Sequence, residues 1–123
     1  MAKKILVVED NEMLADIYEM KLGDEHGFDI KIATTGTQAL VDVRDWQPDL
    51  LILDLMLPEV DGFEVLERLH KEKITDKLPI IVVTALKDTE SINKALELGA
   101  RDYFAKSDVL TEDVVDQCKK LLN

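Results

Sequence analysis

The stretch LLILDLMLPEVDG, residues 50–62, sets four apolar residues directly before an aspartate and then runs on to a proline and a glycine. A short continuous apolar run bounded by turn formers is the pattern of a strand covered on both faces. The aspartate, Asp54, therefore falls where the chain leaves the sheet. Two other runs behave in the same way: Ile5–Val8 leads into Glu9 and Asp10, and Ile80–Val83 leads into Thr84. These three are expected to be central strands. DIKIA (29–33) alternates polar and apolar residues and DYFA (102–105) is short, so both read as edge strands with one face partly wet.

Helical periodicity fills the gaps between strands. Helices are expected over about Glu12–Glu25, stopped by Gly27; Gly36–Trp46, ending before Pro48; Phe63–Lys73; and Thr89–Leu98, closed by Gly99. In the last helix Val114, Val115, Cys118, Leu121 and Leu122 form one stripe behind Thr111, the expected N-cap. Strand and helix thus alternate as (βα)5. Right-handed crossovers then require an α/β doubly wound fold, a five-stranded parallel sheet with helices on both faces. Placing the weak strands at the edges gives the order 2-1-3-4-5, in which the chain changes direction between strands 1 and 3. Ligands bind in the crevice outside the carboxyl ends at such a point, which directs attention to Glu9, Asp10 and Asp54.

A length of 123 residues suits one domain, 1–123, able to bury about two thirds of its unfolded surface. Fifteen basic residues against 26 acidic ones leave a net charge of -11, which argues against nucleic-acid binding and against anionic membrane surfaces. No signal peptide or 18-residue apolar stretch is visible, so a cytoplasmic protein is expected. The lone Cys118 lies in an apolar helical stripe and reads as core filler.

Three carboxylates at one rim repel one another and raise each other's pKa unless a cation holds them ionised. Oxygen ligands without His or Cys favour a hard ion, and Mg2+ uses one or two carboxylates while keeping waters and accepting a phosphate oxygen. Each residue also has a plain alternative: Asp10 or Asn11 as a helix cap, a strand-end aspartate bonding loop amides. Thr84 and Lys106 end strands 4 and 5 at the same rim and offer a hydroxyl and a compact positive charge. Together with a metal they match the equatorial oxygens of a phosphoryl group in transfer, and an aspartate is a competent phosphoryl acceptor.

The acidic pair at 9 and 10, Asp54 followed by LMLPEVDG, the TA at 84 and 85, and GARDYFAK at 99–106 together resemble the receiver domain of two-component response regulators (CheY-like superfamily, a flavodoxin-like fold) along essentially the whole chain. The resemblance implies that Asp54 accepts the phosphoryl group. Asp10 and Asp54 bind Mg2+, with Glu9 nearby or acting through water and the Met56 carbonyl as a further ligand. Lys106 and Thr84 contact the phosphoryl group, and Tyr103 changes rotamer as Thr84 moves. It further implies a histidine kinase or histidine phosphotransfer protein as donor. A downstream protein target binds the face of helix 4, strand 5 and helix 5, and the chain is a monomer or a phosphorylation-dependent dimer. No output segment follows the last helix, so action through a separate partner, or origin in a longer regulator, is expected.

Two positions depart from the family pattern. The acidic pair is Glu-Asp where Asp-Asp is commoner, and Ser107 follows Lys106 where a proline after a cis peptide is usual. A cis bond before serine costs about 3–4 kcal/mol, so a trans bond and an altered reach for Lys106 are both open. Other readings are a constitutive docking receiver that is never phosphorylated and a Mg2+-dependent phosphohydrolase. A flavin mononucleotide binder is disfavoured by the acid in EDNE, where phosphate would need amides and hydroxyls.

Overall fold

A computed structural model describes all residues 1–123. Strands β1 (Lys4–Val8), β2 (Asp29–Ala33), β3 (Leu50–Leu53), β4 (Ile80–Thr84) and β5 (Asp102–Ala105) pair in parallel in the order β2-β1-β3-β4-β5. They alternate with helices α1 (Glu12–Tyr18), α2 (Gly36–Trp46), α3 (Gly62–Lys71), α4 (Thr89–Glu97) and α5 (Thr111–Leu122). Every residue of β3 and β4 is buried, as continuous apolar runs require. Positions of β2 alternate between exposed and covered, and β5 is half-buried throughout, so both edges behave as their sequences predict.

Successive residues of a strand face opposite sides, and here the two sides are two cores. Leu6, Val8, Leu51, Leu53, Ile80 and Val82 pack with α2, α3 and α4 through residues such as Ala39, Leu66 and Ala95. Ile5, Val7, Leu50, Ile52, Ile81 and Val83 pack with Tyr18, Leu22, Val114, Val115 and Cys118. Burying each such aliphatic side chain contributes about 1.5–3 kcal/mol, so the central strands are the rigid frame of the molecule. Burial pushes the Cys118 thiol up to about 12, in keeping with its reading as filler. No helix is long and apolar enough to cross a membrane.

Four helix N-termini lie beyond strand ends, each with a side-chain cap. Asn11, Thr35, Asp61 and Asp88 accept from the amides of Leu14, Gln38, Glu64 and Ser91 at 3.0–3.1 Å. Asn11, rather than Asp10, therefore caps α1, and the Asp10 carboxylate is left free for other work.

Several boundaries differ from expectation, some by one residue (α3 starts at Gly62 and α4 ends at Glu97), and three of the differences are informative. The first helix is α-helical only to Tyr18 and continues as a wide π turn over Glu19–Asp24, where the Glu25 amide donates to the Met20 carbonyl five residues back. Tyr18 and Leu22 face the core in either geometry, so apolar spacing does not separate the two. Gly27 then takes a positive φ of 75°, as its capping role demands. The third helix ends at Lys71 instead of Lys73, which adopts a left-handed φ of 62° before a short 3-10 turn at Ile74–Asp76. The last helix is capped by Leu110, and Thr111 is its first residue. The Asp113 carboxylate accepts from the Leu110 amide at 2.9 Å, so this end is held by the acid at the third position reaching back to the cap residue's amide, with no hydroxyl accepting from the first turn.

The loop from Asp54 to α3 folds back on itself. The Gly62 amide donates to the Leu55 carbonyl at 2.9 Å, and a Cβ at Gly62 would lie 2.3 Å from the Asp54 carbonyl oxygen and 2.4 Å from Leu55 Cα. Both neighbours are backbone and cannot swing away. Gly62→Ala is expected to destabilise the protein by about 3 kcal/mol through overpacking, measured by urea unfolding; an unchanged midpoint would mean that this loop is not tightly closed.

Candidate functional site

The sheet's hydrogen-bond ladder continues one residue beyond the strands, and this places the site. The Asp54 amide donates to the Val8 carbonyl at 3.1 Å and the Glu9 amide to the Ala33 carbonyl at 3.0 Å. Since Val8 pairs with Leu53, Glu9 and Asp54 emerge side by side. Carboxylate oxygens of Glu9, Asp10 and Asp54 all lie within 4.8 Å of one another, with Glu9 and Asp54 buried and Asp10 exposed. The set is all carboxylate, the donor type that suits a hard divalent cation such as Mg2+.

Lys106 answers the repulsion within this cluster. Its Nζ donates to Asp54 Oδ2 at 2.8 Å and stands 2.8 Å from Glu9 Oε1. Burial alone would lower the lysine's pKa, but its hydrogen bonds to Asp54 and Glu9 outweigh this and raise it, so the ammonium stays charged. Burial raises the Glu9 carboxyl above its ordinary value, against hydrogen bonds from Lys106 and from the Asn11 amide, 3.0 Å away, that lower it. The other Asp54 oxygen, Oδ1, accepts from the Met56 amide at 3.0 Å, while the Met56 side chain is 54% exposed.

All peptide bonds are trans, including that between Lys106 and Ser107. Lys106 reaches the carboxylates nonetheless, because its amide donates to the Thr84 carbonyl at 2.8 Å and so continues the β4–β5 ladder. Ser107 thus leaves the position of the ammonium intact. Tyr103, three residues earlier, donates its hydroxyl to the Leu86 carbonyl at 2.7 Å and ties β5 to the loop that follows Thr84. That acceptor is a backbone oxygen, and no side-chain pattern in the sequence announces it. The spacing of Tyr103 from Lys106 was the one available signal.

A cavity of about 90 Å3 beside the cluster is lined by Lys106 together with Leu14, Tyr18, Val83 and Val114. A wider cavity, about 700 Å3, opens at the other end of the sheet, where β3 and β4 begin. Its Arg44, Lys73 and Lys77 are offset by Asp49, Glu72 and Asp76, so it focuses no net charge. Of the charged groups at the carboxylate cluster, Lys106 alone lines the smaller cavity, whose other walls are mostly apolar.

Comparison with known proteins bears on the sequence and the fold as a whole. Residues 5–115 match the family model of the response regulator receiver domain. The chain is 42% identical over 106 residues to the DNA-binding response regulator MtrA of Mycobacterium tuberculosis, covering 86% of this chain and 45% of that protein. It is 40% identical to the alkaline phosphatase synthesis transcriptional regulatory protein PhoP of Bacillus subtilis, covering 86% and 43%. The chain therefore spans less than half the length of these curated relatives. Among solved structures, a CheY-like response regulator receiver domain protein from Methanospirillum hungatei superposes with a TM-score of 0.88 at 30% identity, covering 98% of this chain and 94% of that one. The BeF3-activated receiver domain of Klebsiella pneumoniae RstA gives 0.84 at 28% identity, covering 98% and 100%.

One polar group at the rim is left over. Thr84 Oγ1 is fully buried and has no hydrogen-bond partner. A buried hydroxyl without a partner costs about 1–3 kcal/mol, a penalty that a group arriving beside it would relieve. Thr84→Val keeps the shape and removes the unpaired hydroxyl, so it is expected to raise unfolding stability by about 1 kcal/mol; a loss of stability would show that the hydroxyl is already satisfied.

Proposed function

Because the chain belongs to the response regulator receiver domain family, we propose that it is a phosphorylation-controlled signalling switch whose acceptor is Asp54. The observation that carries this reading is the Lys106 ammonium, 2.8 Å from both Glu9 and Asp54, together with a buried Thr84 hydroxyl at the end of β4 that lacks a partner. A site with a carboxylate, a fixed positive charge and an unsatisfied donor is prepared for an incoming phosphoryl group.

The donor is a phosphohistidine of a sensor kinase or phosphotransfer protein. An Asp54 oxygen attacks phosphorus, the phosphorus–nitrogen bond breaks, and its electron pair stays with the departing imidazole. Glu9, Asp10, Asp54 and the Met56 carbonyl would hold Mg2+, which when bound neutralises charge on the transferring oxygens. Lys106 holds one phosphoryl oxygen and Thr84 donates its hydroxyl to another. Once Thr84 has that new partner, the loop to Leu86 shifts and the Tyr103 tether is biased toward a second arrangement. The face of α4, β5 and α5 then presents a changed surface to a downstream protein. Coupling of this kind is typically about 1–3 kcal/mol, or a 5- to 150-fold change in partner affinity. Residues 1–123 are the receiver unit, and it works in the cytoplasm.

Acetyl phosphate with Mg2+ is expected to add one phosphoryl group by intact mass. Asp54→Asn and metal chelation should each reduce the yield more than about tenfold. Equal modification of Asp54→Asn would remove the acceptor assignment.

A further inference from the structure

α4 is the helix least held by the core. Only Ala95 is buried among its residues, whereas α3 buries Gly62, Val65, Leu66 and Leu69. The loop leading into α4 is tied by the hydrogen bond from Tyr103 to Leu86. Ala95 joins the core that α3 also lines, and the polar contact between the two helices is made by Lys94. The Lys94 ammonium lies 4.6 Å from the centroid of the Phe63 ring and 3.8 Å from Glu67 Oε1. Phe63 and Glu67 are one turn apart on α3, so ring and carboxylate face the same way and the ammonium sits over both. A cation within about 6 Å of a ring centroid is attracted by its negative face.

These contacts are half-exposed, with 50% of the Lys94 side chain and 52% of the Glu67 side chain accessible, and each alone is weak. Their weight comes from where they act. On a helix with a single buried residue, a weak polar contact is a large share of what fixes position. The partner helix is also the one that begins against the acceptor: Gly62 packs on the Asp54 carbonyl, and Phe63 is the next residue. α4 is thereby fastened to the element most rigidly joined to Asp54.

We propose that the contact of Lys94 with Phe63 and Glu67 is a resting-state clasp on α4, which opposes the displacement of α4 and of the loop behind Thr84 when Asp54 is modified. The clasp acts without a phosphoryl group, and only its consequence for signalling rests on the switch reading. A contact made in the resting arrangement and lost in the shifted one must reduce the affinity of any ligand that favours the shifted one, by the same factor as it favours the resting one.

The test compares the wild type with Lys94→Met, which keeps the apolar stem without the charge, and Lys94→Arg, whose guanidinium stacks on the ring. Amide hydrogen exchange is followed first without ligand. Lys94→Met is expected to speed exchange in α4 about threefold and leave β1, β3 and β4 unchanged, while Lys94→Arg retains the wild-type rate. Titration with beryllofluoride and Mg2+ should then half-saturate Lys94→Met at about a threefold lower concentration. Unchanged α4 exchange in Lys94→Met, or acceleration spread evenly over the sheet, would overturn the clasp. Faster α4 exchange with no beryllofluoride response in any of the three proteins would support the clasp and overturn the switch reading instead.

Discussion

The Lys106 ammonium, held between Glu9 and Asp54, is the contact on which the rest of the arrangement depends. Parallel strands that end on carboxylates bring like charges together. Without a cation those groups would gain protons or move apart. Lys106 supplies the charge from β5, two strands away from Asp54 in the sheet, because its own amide is still bonded to the end of β4. The site is therefore a product of register. A slip of one residue in β4–β5 pairing would send the lysine to the opposite face.

Around this contact, firmness falls off in steps. The central strands are buried throughout and contribute most of the apolar stabilisation. The loop after Asp54 is closed by the Gly62 contact with backbone. On the other side the rim is looser: Thr84 carries an unpaired buried hydroxyl, Tyr103 tethers the next loop by one hydrogen bond, and α4 has one buried residue. Low local stability belongs where a structure must move, and here it lies along the path from Thr84 to α4. Under the function proposed above, modification of Asp54 meets a rigid α3 and a yielding α4.

Much of this was legible in the sequence for physical reasons that can be named. Four-residue apolar runs identify strands covered on both faces, alternation in DIKIA identifies an edge, and together they order the sheet. Glu9, Asp10, Asp54, Thr84 and Lys106 stand out because each lies at the carboxyl end of a strand or within two residues of it. What escaped depends on backbone geometry or distant contact. The wide turn after Tyr18 buries the same side chains as an α-turn. The cap of α5 lies one residue earlier, at Leu110, whose amide is held by the Asp113 carboxylate. The reach of Lys106 past a trans bond at Ser107 follows from the Thr84 carbonyl, and the Tyr103 partner is the carbonyl of Leu86; neither oxygen has a sequence signature. Lys94 over Phe63 joins two helices whose facing sides periodicity does not specify.

A double-mutant cycle in unfolding free energy tests the central contact most directly, using Lys106→Met, Asp54→Asn and both together. If the ammonium is bonded to Asp54 as described, removing it will cost about 1–2 kcal/mol more in the wild type than in the Asp54→Asn background. Additive effects, within about 0.3–0.5 kcal/mol, would mean that the two residues do not meet, and the account of this site would fail with them.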